Sequence, residues 1–208
     1  MIPRYTSKEM GSIWTEENED RTMMRVEILA CEAMNKLGII PDEDLKNIQT
    51  KSDFDLDRVH EIEKVTNHDI ISLLTAIGEH VGESSKYIHK GLTSSDVKDT
   101  AMGVMMKQSA ELLLKLEKEL REVLRKQAVK YRNTICVGRT HGIHAEPTIF
   151  GLKFLLWMDE TDRNIERLEL AKKYISIGKL SGAVGTYSNI NPFVEDYVCK
   201  KLGLEAAK

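Results

Sequence analysis

The sequence predicts an all-α protein, with a small N-terminal helical domain followed by the first long helices of a bundle. Three observations lead there. Aromatic residues make up only 6% of the 208, while Leu, Met, Ala, Glu and Lys are abundant, a composition that favours helix. Apolar residues recur at three- and four-residue steps through most of the chain. Finally, no glycine falls between Gly103 and Gly138, so one helical pattern runs unbroken from Ser94 to about Tyr131.

In chain order, an entry segment covers Met1 to Ile13. A first stripe of Val26, Leu29, Ala30, Ala33 and Leu37 is then closed by Gly38. Pro41 and Asp42 open a shorter helix. A third pattern, Leu56 to Val81, presents Val59, Ile62, Ile70, Leu73, Leu74 and Ile77, with a break near Thr66 and Asn67 and a stop at Gly82. Residues 1–92 are expected to form the N-terminal domain.

From Thr93 the pattern lengthens. Thr93, Ser94 and Ser95 suit a helix cap, and Asp96 suits a first turn. The helix beyond would place Met102, Met106, Leu113, Leu116, Leu120 and Val123 on its core side. At about 1.5 Å per residue it would reach on the order of 55 Å. A second long helix is expected from Pro147 to Ser176, with Phe150, Phe154, Met158, Ile165, Leu168 and Ile175 on one face, and a last one from Pro192 to Leu202. Residues 93–208 are thus read as the first part of a long-helix domain. Stripes of that length exceed what the chain can cover, so oligomerisation is expected.

A net charge of -3 calls for neither nucleic acid nor a membrane surface as partner. The charged run Glu117 to Arg125 reads as a solvated helix face. Cys31, Cys136 and Cys199 are odd in number and widely spaced, which fits reduced cytoplasmic thiols rather than disulfides or zinc. No leader-like segment, apolar spanning run or phosphate-binding glycine loop occurs, and neither a cofactor nor a metal is expected. His141, His144 and Glu146 lack the three or four convergent ligands that zinc needs.

The chemistry concentrates in GRTHGIHAEPTIFGLK, Gly138 to Lys153. Gly138 and Gly142 allow a bend, and Pro147 fits the first turn of a following helix. His141 at such a junction can exchange a proton near neutral pH, and Thr140 offers a hydroxyl to an anion. Taken alone, these residues have blander readings. His141 would be a backbone-satisfied loop histidine, Thr93 to Asp96 a simple cap, Arg4-Tyr5 an exposed terminal pair and His68-Asp69 a surface pair in mid-helix.

The same residues resemble a known family. THGIHAEPTIFGLK is similar to the second sequence block of the adenylosuccinate lyases, members of the fumarase and aspartase superfamily, and GLTSSDVKDTA (Gly91 to Ala101) is similar to the first. Arg4-Tyr5, NHDI at Asn67 to Ile70 and GKLSGAVGT at Gly178 to Thr186 extend the resemblance along the chain. It implies a fumarase/aspartase-type bundle, assembled as a homotetramer. The implied reaction is β-elimination of fumarate from adenylosuccinate, giving AMP, and from the succinyl-carboxamide ribotide SAICAR, giving AICAR.

Such an elimination needs a base for the carbon proton, an acid for the departing nitrogen and donors for the carboxylate. By resemblance, His141 is the general acid, with Thr140 near a succinyl carboxylate. Thr93 and Ser94 hold succinyl oxygens, and Arg4 and Tyr5 grip the phosphate end. His68 and Asp69 face the purine and position the leaving group, and His89 lies near the site. The family's third block, similar to SSAMPHKRNP and carrying the serine base, does not occur in these residues. The chain is therefore expected to be an N-terminal portion, inactive alone. Competing expectations are a non-catalytic helical oligomerisation module and another fumarate-releasing lyase of the same superfamily.

Overall fold

The computed structural model describes residues 2–207, which form two compact units. One comprises Met1–Lys107 with Ile175–Lys208, the other Gln108–Tyr174. The expected division at 92/93 falls inside the first. Helices dominate, and the strands are limited to two short pairs, in keeping with the all-α class. Among the described residues no helix is long and apolar enough to cross a membrane.

In the first unit, a 3-10 turn at Pro3–Tyr5 and helix α1 (Lys8–Ile13) lead to α2 (Glu16–Lys36). The Thr15 side chain accepts the Asn18 N–H at the start of α2, and Glu16, Glu17 and Glu19 lie in its first turn, where the helix dipole favours them. Val26, Ala30 and Ala33 of the expected stripe are buried, whereas Leu37 is exposed. Helices α3 (Asp42–Lys51), α4 (Leu56–Thr66) and α5 (Asp69–Val81) follow. The break expected near Asn67 is real: Asn67 takes a left-handed φ of 51° as the cap of α4, and His68 begins the next helix. Helix α8 (Pro192–Leu202) opens on Asn191, which accepts the Phe193 N–H, and stops at Gly203. A short parallel pair, β3 (Ile177–Gly178) and β4 (Glu205–Ala206), lies beside it.

Helix α6 runs from Ser94 to Lys130, 37 residues, close to expectation. Its buried face is not the expected one. Val97, Ala101, Val104 and Met105 enter the core, whereas Met102, Leu113, Leu116, Leu120 and Val123 are exposed. Farther along the helix Ala110, Leu114 and Leu124 are also buried, on a face offset from the expected stripe.

The second unit holds the rest of α6, a hairpin of β1 (Ile135–Thr140) and β2 (Ile143–Ile149), and most of α7 (Gly151–Ile175). The expected loop is therefore an antiparallel ribbon. Pro147 does not start a helix but pairs with Val137 in the ribbon. Between Val137 and Arg139 the register shifts, and a Cβ on Gly138 would stand 2.6 Å from the Glu146 carbonyl oxygen. Only glycine allows that approach. At the ribbon base, Tyr131, Phe150 and Phe154 stack with centroids 5.1 to 5.9 Å apart. Helices α6 and α7 are bridged by Arg121–Asp162, Lys118–Glu169 and Lys172–Glu111.

Candidate active site

Several predicted residues of the first unit gather around the N-terminus of α6. His68 caps α5: its Nδ1 accepts the Ile71 N–H at 3.4 Å and stands 3.5 Å from Asp69 Oδ1. Asp69 is exposed, as a surface pair would be, but it opens α5 rather than lying mid-helix; it accepts the Ile70 N–H and pairs with Lys98 in the first turns of α6. Its carboxyl is held below the usual carboxylate range, chiefly by the Lys98 hydrogen bond.

His89 and Thr93 are each tied to a buried carboxylate. His89 takes a left-handed φ of 65°, a conformation that few non-glycine residues adopt without support. Glu27, 2% exposed, supplies that support. Its Oε2 accepts the His89 backbone N–H at 3.0 Å, and its Oε1 lies 2.6 Å from Nδ1. Burial works to lower the His89 pKa, but the Glu27 hydrogen bond and charge outweigh it, with Asp96 adding, and the net direction is upward.

Asp96 is fully buried and accepts the backbone N–H groups of Thr93, Ser181 and Gly182 at 3.0 to 3.1 Å, with Lys179 Nζ at 3.4 Å. One carboxylate thereby joins the start of α6 to the GKLSGAVGT segment. Thr93 and Ser94 are left standing at the N-terminus of a long helix, where unpaired N–H groups and the dipole favour an anion. Glu195 fastens the other side of the segment, accepting the Leu180 N–H and the Tyr187 hydroxyl, each at 2.7 Å.

Arg4 and Tyr5 meet each other, the guanidinium 4.7 Å from the ring centroid, and Tyr5 is exposed. Nearby in sequence, Thr6, Ser7, Lys8, Ser12 and Thr15 line a shallow cavity of about 570 Å³.

In the second unit, His141 and Gly142 are the two-residue turn of the hairpin, between the paired Thr140 and Ile143. Both have positive φ, 50° and 76°, the signature of a type I′ turn. The turn puts the His141 ring at an exposed tip with Thr140 beside it. An exposed imidazole on a defined turn can give up a proton to a ligand that reaches it. His144 faces solvent across from Arg139. Among the described residues, no group of three or more His, Cys, Asp or Glu could hold a metal ion.

Residues 4–208 match the family described as lyase. The chain belongs to that lyase family. It is 51% identical over 207 residues to the adenylosuccinate lyase of Bacillus subtilis, covering 100% of this chain and 48% of that one. With the Streptococcus mutans adenylosuccinate lyase it shares 50% over 206 residues, 99% of this chain and 48% of that one. The chain thus spans about half the length of the curated relatives it matches. Among solved structures, a fumarate lyase from Mesorhizobium sp. BNC1 superposes with a TM-score of 0.89 at 26% identity, covering 97% of this chain and 49% of that one. The 3-carboxy-cis,cis-muconate lactonizing enzyme of Pseudomonas putida also reaches 0.89, at 22% identity, over 98% of this chain and 48% of that one, and shares the fold.

Two residues of this lyase chain escaped the sequence reading. Glu27 sits inside α2, where its letter suggests a solvated face; its partner is 62 positions away. Asp20, 8% exposed in the same helix, has its pKa pushed up to about 6 by burial, then by the charges of Glu16 and Glu19. No local signal marks either one. The hairpin did leave a weak signal, since Gly142 suits a tight turn and lies close to the β-branched Thr140 and Ile143.

Proposed function

We propose that the chain carries the nucleotide-binding and acid half of an adenylosuccinate lyase, acting on adenylosuccinate and SAICAR with release of fumarate. The N-terminus of α6 carries that assignment, in a chain sharing half its residues with adenylosuccinate lyases. There Thr93 is held by Asp96, with Ser94 next to it and the Asp69–Lys98 pair alongside. Hydroxyl and amide donors so placed suit a succinyl carboxylate, and preorganised donors of this kind often contribute about 10²- to 10³-fold to rate.

His141 would protonate the departing nitrogen, supported by its exposure at a hairpin turn, with Thr140 near a carboxylate. His68 and Asp69 would position the purine end, with His89 lining the site, and Arg4 and Tyr5 would grip the phosphate. The base would come from a segment outside these 208 residues, so the chain alone does not turn over substrate. Residues 1–92 would act as the nucleotide-gripping domain and 93–208 as the start of a bundle completed by other copies, as a homotetramer.

The test has two arms. The purified chain should bind AMP, with Arg4→Ala abolishing binding, and should release no fumarate. Co-expression with a chain supplying a serine loop should restore fumarate release, and His141→Gln should remove it again. Fumarate release by the chain alone, or activity indifferent to His141→Gln, would overturn the assignment. A non-catalytic oligomerisation module is the second reading, favoured by the exposed stripe of α6. Failure to bind AMP together with stable self-association would select it.

A further inference from the structure

We propose that Glu27 is a positioning residue: its buried carboxylate holds the His89 ring by Nδ1 and presents Nε2–H as the donor to an anionic oxygen of the bound nucleotide. The proposal rests on the nucleotide reading above. Both carboxylate oxygens of Glu27 are spent on one residue, the backbone N–H at 3.0 Å and ring Nδ1 at 2.6 Å. Two attachments at right places on one residue fix a left-handed backbone and a ring orientation together. A purely structural ion pair would not need both.

The ring retains access to solvent, its side chain being 20% exposed, while Glu27 keeps 2%. With Nδ1 taken as the donor to Glu27, Nε2 is the nitrogen left to meet a ligand, and the tautomer is no longer free. A buried carboxylate whose single partner is this histidine also favours the imidazolium, because neutralising the ring would strand a charge away from water. Glu27 of α2 and Asp96 of α6 are the charged groups that bear on the ring, with Lys90 next to it in the chain. Both carboxylates act in the same direction.

The experiment follows the six histidines by NMR in this chain, comparing wild type with Glu27→Gln, and measures AMP binding at pH 7.5 for both. Gln keeps the shape and an acceptor but removes the charge. In wild type, the His89 midpoint should lie above the ordinary 6.5, with Nδ1 protonated. In Glu27→Gln it should fall, and AMP affinity should drop roughly tenfold. His89→Gln leaves Glu27 in place and should weaken AMP to a similar degree, which keeps the proposal testable should Glu27→Gln unfold. An unmoved His89 midpoint overturns the pairing. A moved midpoint with unchanged AMP affinity overturns the ligand role. Absence of AMP binding in wild type overturns the nucleotide reading, and is told apart because the midpoint shift is read without any ligand.

Discussion

The two compact units are built from the same residue types yet differ in who covers their apolar surface. In the first, Val26, Ile48, Ile77, Leu180 and Val198 are at most 1% exposed, and buried carboxylates take up the amides of the loops. In the second, Ala110, Leu114 and Leu124 are buried, but Leu120, Val123, Leu156 and Trp157 are 47%, 52%, 57% and 49% exposed. Its ribbon is a two-stranded hairpin, an arrangement marginal in water without further cover. The first unit buries its own core; the second leaves a run of large apolar side chains exposed.

Hydrogen exchange gives the sharpest test of that contrast. In dilute solution, amides in α2 and α5 should exchange at least about a thousandfold more slowly than those of the 135–149 ribbon, because local opening tracks the number of buried contacts. Raising the protein concentration should slow the ribbon and leave α2 unchanged. Equal protection in both units at nanomolar concentration would abolish the distinction.

Truncation of one core and one outward residue comes next. Ile77→Ala should cost about 3 kcal/mol in denaturant unfolding, as large-to-small core changes do. Leu120→Ala should stay within about 0.5 kcal/mol in the dilute chain, since its side chain leaves no cavity behind. A large loss from Leu120→Ala at low concentration would mean that the chain covers its own stripe.

What could be read in advance follows the same line. The start of α8 and the break at Asn67 are set by local chemistry, so Pro192 announced the first and Asn67 the second. The apolar spacing in α6 identified the stripe but not its neighbour, because a stripe buried by another molecule and one buried by its own chain look alike in sequence. Pro147 misled: a proline that suits a first helical turn suits a ribbon edge equally well. At the candidate site, the hydroxyls and histidines were visible, whereas Glu27, Asp20 and the joining role of Asp96 were not. Glu27 and Asp96 have partners far along the chain, as Ser181 is from Asp96, 85 positions away, and Asp20 is set apart by burial, which its letter does not show.

Asp20 offers a smaller effect confined to the first unit. Its folded pKa is raised from 3.8 to about 6, so the folded state holds the proton more tightly than the unfolded one. Stability therefore falls as pH rises across that window, and the cost persists above it. Asp20→Asn should remove the fall and raise stability at pH 7 by roughly 1 to 2 kcal/mol, visible as a higher midpoint in urea. The paired histidine runs the same way with pH, although it stabilises when protonated rather than destabilising when charged. The raised His89 pKa adds stability that is complete below 6.5 and is lost as pH climbs through the folded value, a trend Glu27→Gln should erase.

The smallest effect belongs to the ribbon tip. Gly142 has open space around it but a φ of 76°, so Gly142→Ala meets only backbone strain, about 1 kcal/mol. That strain should speed exchange in the hairpin and leave the melting of the first unit where it was, as followed by near-ultraviolet dichroism.

Glu27, Asp96 and Glu195 grip main-chain amides, and an amide is the same whatever side chain hangs beside it. Residues at the rim of these loops can consequently be exchanged over evolutionary time without releasing the scaffold that displays them. Descendants could thereby acquire new appetites by rewriting the rim alone, provided the three acids stay where they are.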